Sequence, residues 1–244
     1  MDMLNIHIND ITQNELLSQF KEGFIVTPNV DHLVKLQKDE SFYKTYQQAD
    51  FVICDSRILY FFSKLLKHSI RETISGSSFF HEYCKYHKDS NHIKIFILGG
   101  KKGVAELAQK RINDSLRNPI IIGAHTPSFH IDEKESRQIA EIVNRSGANA
   151  VLVGLGAPKQ EKWIVKYKHL MPQVKVWMAL GATVDFEAGT LKRAPEIFRL
   201  MGLEWFYRFI KEPRRLFKRY FVDDMKFFWY FGKQLLGVYR NPFE

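Results

Sequence analysis

Only two cysteines, Cys54 and Cys84, occur in 244 residues, and neither has a Cys-x-x-Cys partner. They read as free thiols of a reducing compartment rather than as a disulfide or a zinc site. No apolar stretch approaches the ~18 residues that a membrane-spanning helix needs. The opening MDMLNIHIND lacks a basic n-region and an apolar h-region, so no signal peptide is expected. The nine histidines form no His-Glu-x-x-His pattern, and there is no Asp-x-Asp pair of the kind that often holds a metal-bound diphosphate. A Walker A loop and a Gly-x-Gly-x-x-Gly fingerprint are missing as well. These absences argue against zinc hydrolases, P-loop nucleotidases and dinucleotide oxidoreductases, and no metal or cofactor is expected.

The chain is 45% apolar, enough to bury a substantial core, and nothing suggests global disorder. Its net charge of +9 is unevenly placed: residues 192–240 hold twelve Lys and Arg against five Asp and Glu, so seven of the nine excess charges lie there. A basic tail calls for an anionic partner, which membrane lipid, nucleic acid or substrate phosphate would each supply.

Residues 150–163, AVLVGLGAPKQEKW, contain the clearest change of chemistry. Ala150 to Val153 form a continuous apolar run, as expected of a strand covered on both faces. Gly154 and Gly156 then allow a tight turn and close approach to a ligand. Pro158 suits the first turn of a following helix. Lys159, Gln160 and Glu161 are therefore expected at a helix N-terminus beyond a strand's carboxyl end, where α/β sheets bind ligands and helices favour anions. A tight connection with a solvated polar turn fits the same residues.

Taken in order, the first 23 residues read as polar and helical, with Thr12 and Glu15 forming a capping box. A short strand at 24–27 ends in Pro28 and Asn29. Val30, Leu33, Val34 and Leu36 follow at helical spacing, and Asn29 reads as a cap or a site residue. A second strand at 51–54 ends in Asp55-Ser56-Arg57. The helix after it places Ile58, Leu59, Phe62, Leu65 and Leu66 on its inner face. Asp55 reads either as that helix's cap or as a carboxylate base facing the crevice. Residues 71–78 lead into a helix through Phe79, Tyr83 and Tyr86. A strand at 94–98 precedes a Gly-rich turn and a helix. Another strand lies at 119–123, a helix at 132–145, and a last strand at 174–179, with Gly181, Asp185, Phe186 and Gly189 in the loop beyond.

Strands alternating with helices on apolar runs predict an α/β fold, a Rossmann-like, doubly wound and mainly parallel sheet. Thr27, Asn29, Asp55 and Gln160 would then converge at one edge. At 100° per residue, Arg214, Arg215, Lys218, Arg219 and Lys226 fall on one arc of a helix. Leu216, Phe217, Tyr220, Phe221, Phe227, Phe228 and Phe231 fall on the other. Such a helix fits an anionic membrane surface, packing on the protein or a subunit interface.

Several blocks occur in an order that resembles the WecG/TagA/CpsF glycosyltransferases: Thr27-Pro28-Asn29, Asp50 with Asp55, and Gly154 to Glu161. Lys192-Arg193-Ala194-Pro195, Gly202-Leu203-Glu204-Trp205 and Glu212-Pro213-Arg214-Arg215 follow. The resemblance runs over residues 24–221. It implies a catalytic core at 1–194 and a C-terminal helical appendage at 195–244 that completes the active site and docks on the membrane. The implied activity is an inverting hexosyl transfer from a UDP-sugar to a polyprenyl-diphosphate-linked acceptor in the synthesis of teichoic acid, capsule or exopolysaccharide. The implied place is the cytoplasmic face of the membrane, on an anionic surface, as a peripheral protein, with homo-oligomers allowed and no nucleic-acid partner.

By position, the resemblance makes Asp55 the catalytic base, with Thr27 and Asn29 lining its pocket. Gln160 becomes a donor contact beside Gly154, Gly156 and Lys159, Arg208 and Arg215 become ligands of the diphosphate, and Arg193 is a further substrate-binding residue. Thr73 and Ser78 stand where the family often has an arginine and an acid, so a donor contact is lost or comes from Arg57 or Arg71. Lys218 stands where an arginine is frequent and lacks its bidentate fork. The alternative reading is a non-catalytic module that binds a nucleotide sugar or scaffolds partners.

Overall fold

The computed structural model describes every residue except 91, 193, 196–197 and 199–203, and describes backbone alone at 204, 205, 208 and 215. Six strands form one all-parallel sheet: β3 (Gly23–Val26), β4 (Phe51–Val52), β5 (Ile95–Gly99), β6 (Ile121–His125), β7 (Ala150–Gly154) and β8 (Val176–Ala179). Their order is β4-β3-β8-β7-β5-β6. The fold is thus the Rossmann-like α/β architecture that the sequence predicts.

These strands are apolar at successive positions, so both faces must be covered. Ile25, Ile53, Ile97, Leu152 and Met178 point into one helical layer, and Phe24, Val26, Val52, Phe96, Leu98, Val151, Val153 and Trp177 into the other. The first layer contains α1 (Gln13–Gln19), α5 (Gly76–His87), α6 (Val104–Leu116) and α9 (Thr183–Ala188). The second contains α2 (Val30–Lys35), α3 (Glu40–Tyr46), α7 (Glu133–Ser146) and α8 (Lys159–Tyr167). Beside the end of β4 lies α4 (Arg57–Ser63). Side-chain oxygens of Thr12, Asn29, Asp39, Ser56, Ser75 and Asp132 cap six of these helices, so punctuation and packing agree.

Some details differ from the expectation. Residues 2–7 are not helical: β1 (Asp2–Met3) and β2 (Ile6–His7) pair as an antiparallel hairpin that buries Met3, Ile6 and Ile8. Two-residue strands are too short to leave a readable period. Residues 183–188, expected in a loop, form α9. Leu65 is 62% exposed, because Ser63 Oγ accepts the Ile70 N–H at 3.1 Å and the chain turns after Ser63. Tyr86 is 59% exposed, its ring set edge-on against His87 at the end of α5.

The tail forms α10 (Glu204–Lys211), α11 (Pro213–Lys218) and α12 (Lys226–Leu235), with a π-helical turn at Arg219–Asp223. That turn breaks the single wheel expected for 213–231, since its i→i+5 spacing changes the phase of everything after it. Leu216, Phe227 and Phe231 are buried, whereas Phe217, Phe221 and Phe228 are exposed. Arg219 turns inward, its Nη2 3.4 Å from Asp31 Oδ2. Phe62 of α4 lies 5.4 Å from the Phe227 ring and 5.0 Å from Phe231, which anchors α12 on the core. Beyond α12, Tyr239 OH donates to Gln37 Oε1 at 2.6 Å, and Asn241 Nδ2 donates to Tyr43 OH at 2.9 Å.

Candidate active site

Pairings of Val26 with Val52 and Ala179, of Ala179 with Val153 and of Val153 with Leu98 bring five strand ends to one level. Strand β8 leads to α9 on one layer, while its neighbours β3 and β7 lead to α2 and α8 on the other. Adjacent connections that part to opposite faces open a crevice at the carboxyl edge, the usual ligand position in such sheets. Thr27, Asn29, Asp55, Gly154, Gly156, Lys159 and Gln160 all lie on that edge.

Of the two roles that the sequence left open for Asp55, the cap falls to its neighbour Ser56. Ser56 caps α4, its Oγ accepting the Leu59 N–H at 3.3 Å. Asp55, one residue earlier, is exposed at the end of β4. Its charge also acts on Cys54, whose thiol burial pushes up to about 12. Thr27 is buried at the end of β3, and half-buried Asn29 caps α2 through the His32 N–H at 3.1 Å. The capping reading therefore holds for Asn29 and fails for Asp55.

The two glycines of the β7 loop serve different ends. A Cβ on Gly154 would lie 2.6 Å from Val184 and 2.8 Å from the Gly181 carbonyl, so packing between loops requires glycine there. Gly156 has φ +77°, a left-handed turn conformation, with open space around its Cβ position. Pro158 is the N-cap of α8 rather than its first residue, so the exposed Lys159 begins the helix. Lys159 Nζ sits 4.5 Å from the Phe129 ring of the β6 loop.

Gln160 is 2% exposed and holds two loops together. Its Oε1 accepts the N–H of Gly156 and the N–H of Gly181, each at 3.1 Å, and its Nε2 donates to Glu161 Oε1 at 2.8 Å. Glu161 is fully buried, and burial pushes its carboxyl up to about 7 against the lowering effect of the Gln160 amide. Tyr46, buried nearby and raised well above its usual value by desolvation and then by the Glu161 charge, shares a 2.7 Å hydrogen bond with His32. Burial holds His32 down to about 3, so it is neutral in this network. Neither Glu161 nor Gly181 stands out as a site residue in the sequence, because a Glu in a first helical turn ordinarily faces water.

Arg71 is tied to α1, its Nη2 2.7 Å from Glu15 Oε2 and 2.8 Å from the Asp10 carbonyl. Arg57, the other candidate to supply a donor contact, is exposed at the start of α4. Ser75 Oγ accepts the Ser78 N–H at 3.2 Å, so Ser78 belongs to the cap of α5. Arg193 lies outside the described residues, as do the side chains of Arg208 and Arg215, whose backbones lie in α10 and α11. Among the described residues, no group of three or more His, Cys, Asp or Glu could hold a metal ion.

Comparison with known proteins gives consistent matches. The model of the Glycosyl transferase WecG/TagA/CpsF family matches residues 1–241. The N-acetylglucosaminyldiphosphoundecaprenol N-acetyl-beta-D-mannosaminyltransferase of Staphylococcus aureus (strain MRSA252) is 28% identical over 225 residues, 88% of this chain and 86% of that protein. A protein of the same name from Bacillus spizizenii is 31% identical over 199 residues, 82% of this chain and 75% of its own length.

Proposed function

The chain belongs to the WecG/TagA/CpsF family of glycosyl transferases, and from that premise we propose that it moves a hexose from a UDP-sugar, with inversion, to a polyprenyl-diphosphate-linked sugar. The relatives' names make N-acetylmannosamine the first sugar to try and a lipid-diphosphate-linked N-acetylglucosamine the first acceptor. The product would feed a cell-surface polymer such as teichoic acid.

One observation carries the catalytic assignment: Asp55 is exposed at the crevice because Ser56, not Asp55, caps α4. In this reading Asp55 removes the proton from the acceptor hydroxyl as its oxygen attacks the anomeric carbon and UDP leaves from the opposite face. Thr27 and Asn29 line the same pocket. Charge growing on the departing diphosphate meets the start of α8 and Lys159. The appendage at 195–244 would add Arg208 and Arg215, with Arg193 just before it, as bidentate phosphate ligands.

Among the described residues, no helix is long and apolar enough to cross a membrane. Exposed Phe217, Phe221, Val222, Met225, Phe228 and Trp229 on a strongly basic tail instead suit a peripheral, interfacial attachment to the cytoplasmic face. The test is UDP release from a panel of UDP-hexoses with a synthetic lipid-diphosphate N-acetylglucosamine. Turnover with the wild type and none with Asp55→Asn is the expected result. UDP-sugar binding without turnover on any acceptor would instead favour a nucleotide-sugar-binding module.

A further inference from the structure

The apolar surface of the tail does not end at the tail. Phe62 sits between the core and α12, its ring 5.5 Å from Phe228. On the tail side of that contact Met225, Phe228 and Trp229 are 50%, 43% and 67% exposed. On the core side Phe61 and Leu65 are 53% and 62% exposed, although one belongs to α4 and the other to the turn after it. Elements more than 150 residues apart in sequence therefore both expose large apolar side chains on either side of the Phe62 contact.

The charge around these side chains has one sign on the core side. Residues 56–70 contain Arg57, Lys64 and Lys67 and no Asp or Glu. Across the Phe62 contact, Lys233 flanks the exposed aromatics, its Nζ 4.9 Å from the Trp229 ring, and Lys226 pairs with Asp223 at 3.8 Å. Large apolar side chains rimmed by lysine and arginine complement anionic headgroups over acyl chains.

We infer that α4 and its following turn form a second membrane-contacting element, built into the catalytic core, which inserts Phe61 and Leu65 into an anionic bilayer beside α12. The inference rests on the peripheral attachment proposed above and adds a consequence for the site. Asp55 immediately precedes the cap of α4, and Phe61 lies four residues beyond the first helical residue Arg57, roughly 6 Å along the axis at ~1.5 Å per residue. Interfacial apolar side chains reach about 5–10 Å below the headgroup level. Docking through α4 thus ties the height of Asp55 to the bilayer surface, because only Ser56 separates it from the helix. Docking through the tail alone leaves that height unset.

The test uses the full chain with single added cysteines, Leu65→Cys, Trp229→Cys and Ile142→Cys, each carrying an environment-sensitive fluorophore. Native Cys54 and Cys84 are buried and stay unlabelled. With vesicles of phosphatidylglycerol and phosphatidylcholine, probes at 65 and 229 should shift to the blue and be quenched by brominated acyl chains. The probe at 142, on α7, should not respond. A response at 229 with none at 65 overturns the inference and leaves tail docking standing, whereas silence at both overturns the membrane reading as well. A response at 65 that needs no vesicles and grows with protein concentration makes a second copy of the chain the occupant, and also overturns it. The doubly substituted Phe61→Ser, Leu65→Ser protein, both positions being exposed, should keep its thermal midpoint and lose roughly tenfold or more in vesicle affinity. Unchanged affinity would refute the insertion.

Discussion

Gln160 Oε1 accepts the backbone N–H of Gly181 at 3.1 Å, joining the first turn of α8 to the loop after β8. The same oxygen takes the Gly156 N–H at 3.1 Å, so one amide fixes both loops that border the crevice. Gln160→Ala should cost about 1–3 kcal/mol, the usual penalty for leaving buried partners unpaired. Urea denaturation measures the loss. Gln160→Glu keeps both acceptor bonds but replaces the Nε2 donor with an oxygen facing Glu161. It should therefore be least stable above pH 7, where both carboxyls ionise. Equal stability of the three proteins would mean that the loops hold their positions without this amide.

Glu161 gives stability a specific pH dependence. Its folded value is about 7 against an ordinary 4.5, so the native state binds an extra proton between the two values. Stability must then fall as pH rises through that window and level off above about 7. His32 acts oppositely: held down to about 3 from 6.5, its contribution is present above 6.5 and lost on acidification. Glu161→Gln leaves the His32 contribution in place and removes the other. The difference between wild type and variant should grow from pH 4.5 to 7 in favour of the variant, at about 1.4 kcal/mol per pKa unit. Thermal melts across pH 4.5–8.5 read it directly, and a flat difference would contradict the buried carboxyl.

Arg219 seats the tail on α2. Its guanidinium faces Asp31 at 3.4 Å and Asp224 at 3.9 Å, bridging two acids and offsetting their mutual repulsion. Burial has already raised Asp224 to about 6, with the Arg219 charge as the largest opposing influence. Arg219→Met should raise Asp224 further and weaken the seat by about 1–3 kcal/mol. Faster amide hydrogen exchange over 219–227, with unchanged exchange in β7 and β8, is the expected signature.

Much of this molecule is legible in its sequence because its largest signals are local. The run Ala150 to Val153 must be covered on both faces, and Thr12 with Glu15 announces a helix start. Both appear as expected. The crevice could be located in the same way, because strand ends in a parallel sheet fall together wherever the strands begin. What stayed hidden depends on contacts distant in sequence. Nothing in Glu-Lys-Trp indicates that Glu161 is buried, since the cause is packing by Tyr46 and its own helix against the sheet. The π turn at Arg219–Asp223 likewise has no period of its own, so a wheel drawn through it assigns Arg219 to the wrong side. The exposure of Leu65 follows from the turn after α4, which the Ile70-to-Ser63 hydrogen bond helps to close.

Asp55 and Ser56 are neighbours with separable duties, which makes their comparison the most direct test of the proposed chemistry. Ser56→Ala removes the Oγ that accepts the Leu59 N–H, a loss worth about 0.5–2 kcal/mol of stability for a helix cap. The crevice keeps its carboxylate, so turnover per folded molecule should stay within a few-fold of wild type. Asp55→Asn leaves Ser56 on its cap and should leave the thermal midpoint close to wild type. Its amide accepts no proton at working pH, so turnover should fall by about 10²–10⁴-fold, the usual contribution of a positioned base. Donor binding should survive, because none of the proposed phosphate contacts is made by Asp55. The reverse pattern, in which Asp55→Asn unfolds the protein and Ser56→Ala stops the reaction, would return Asp55 to a structural role and require a different base.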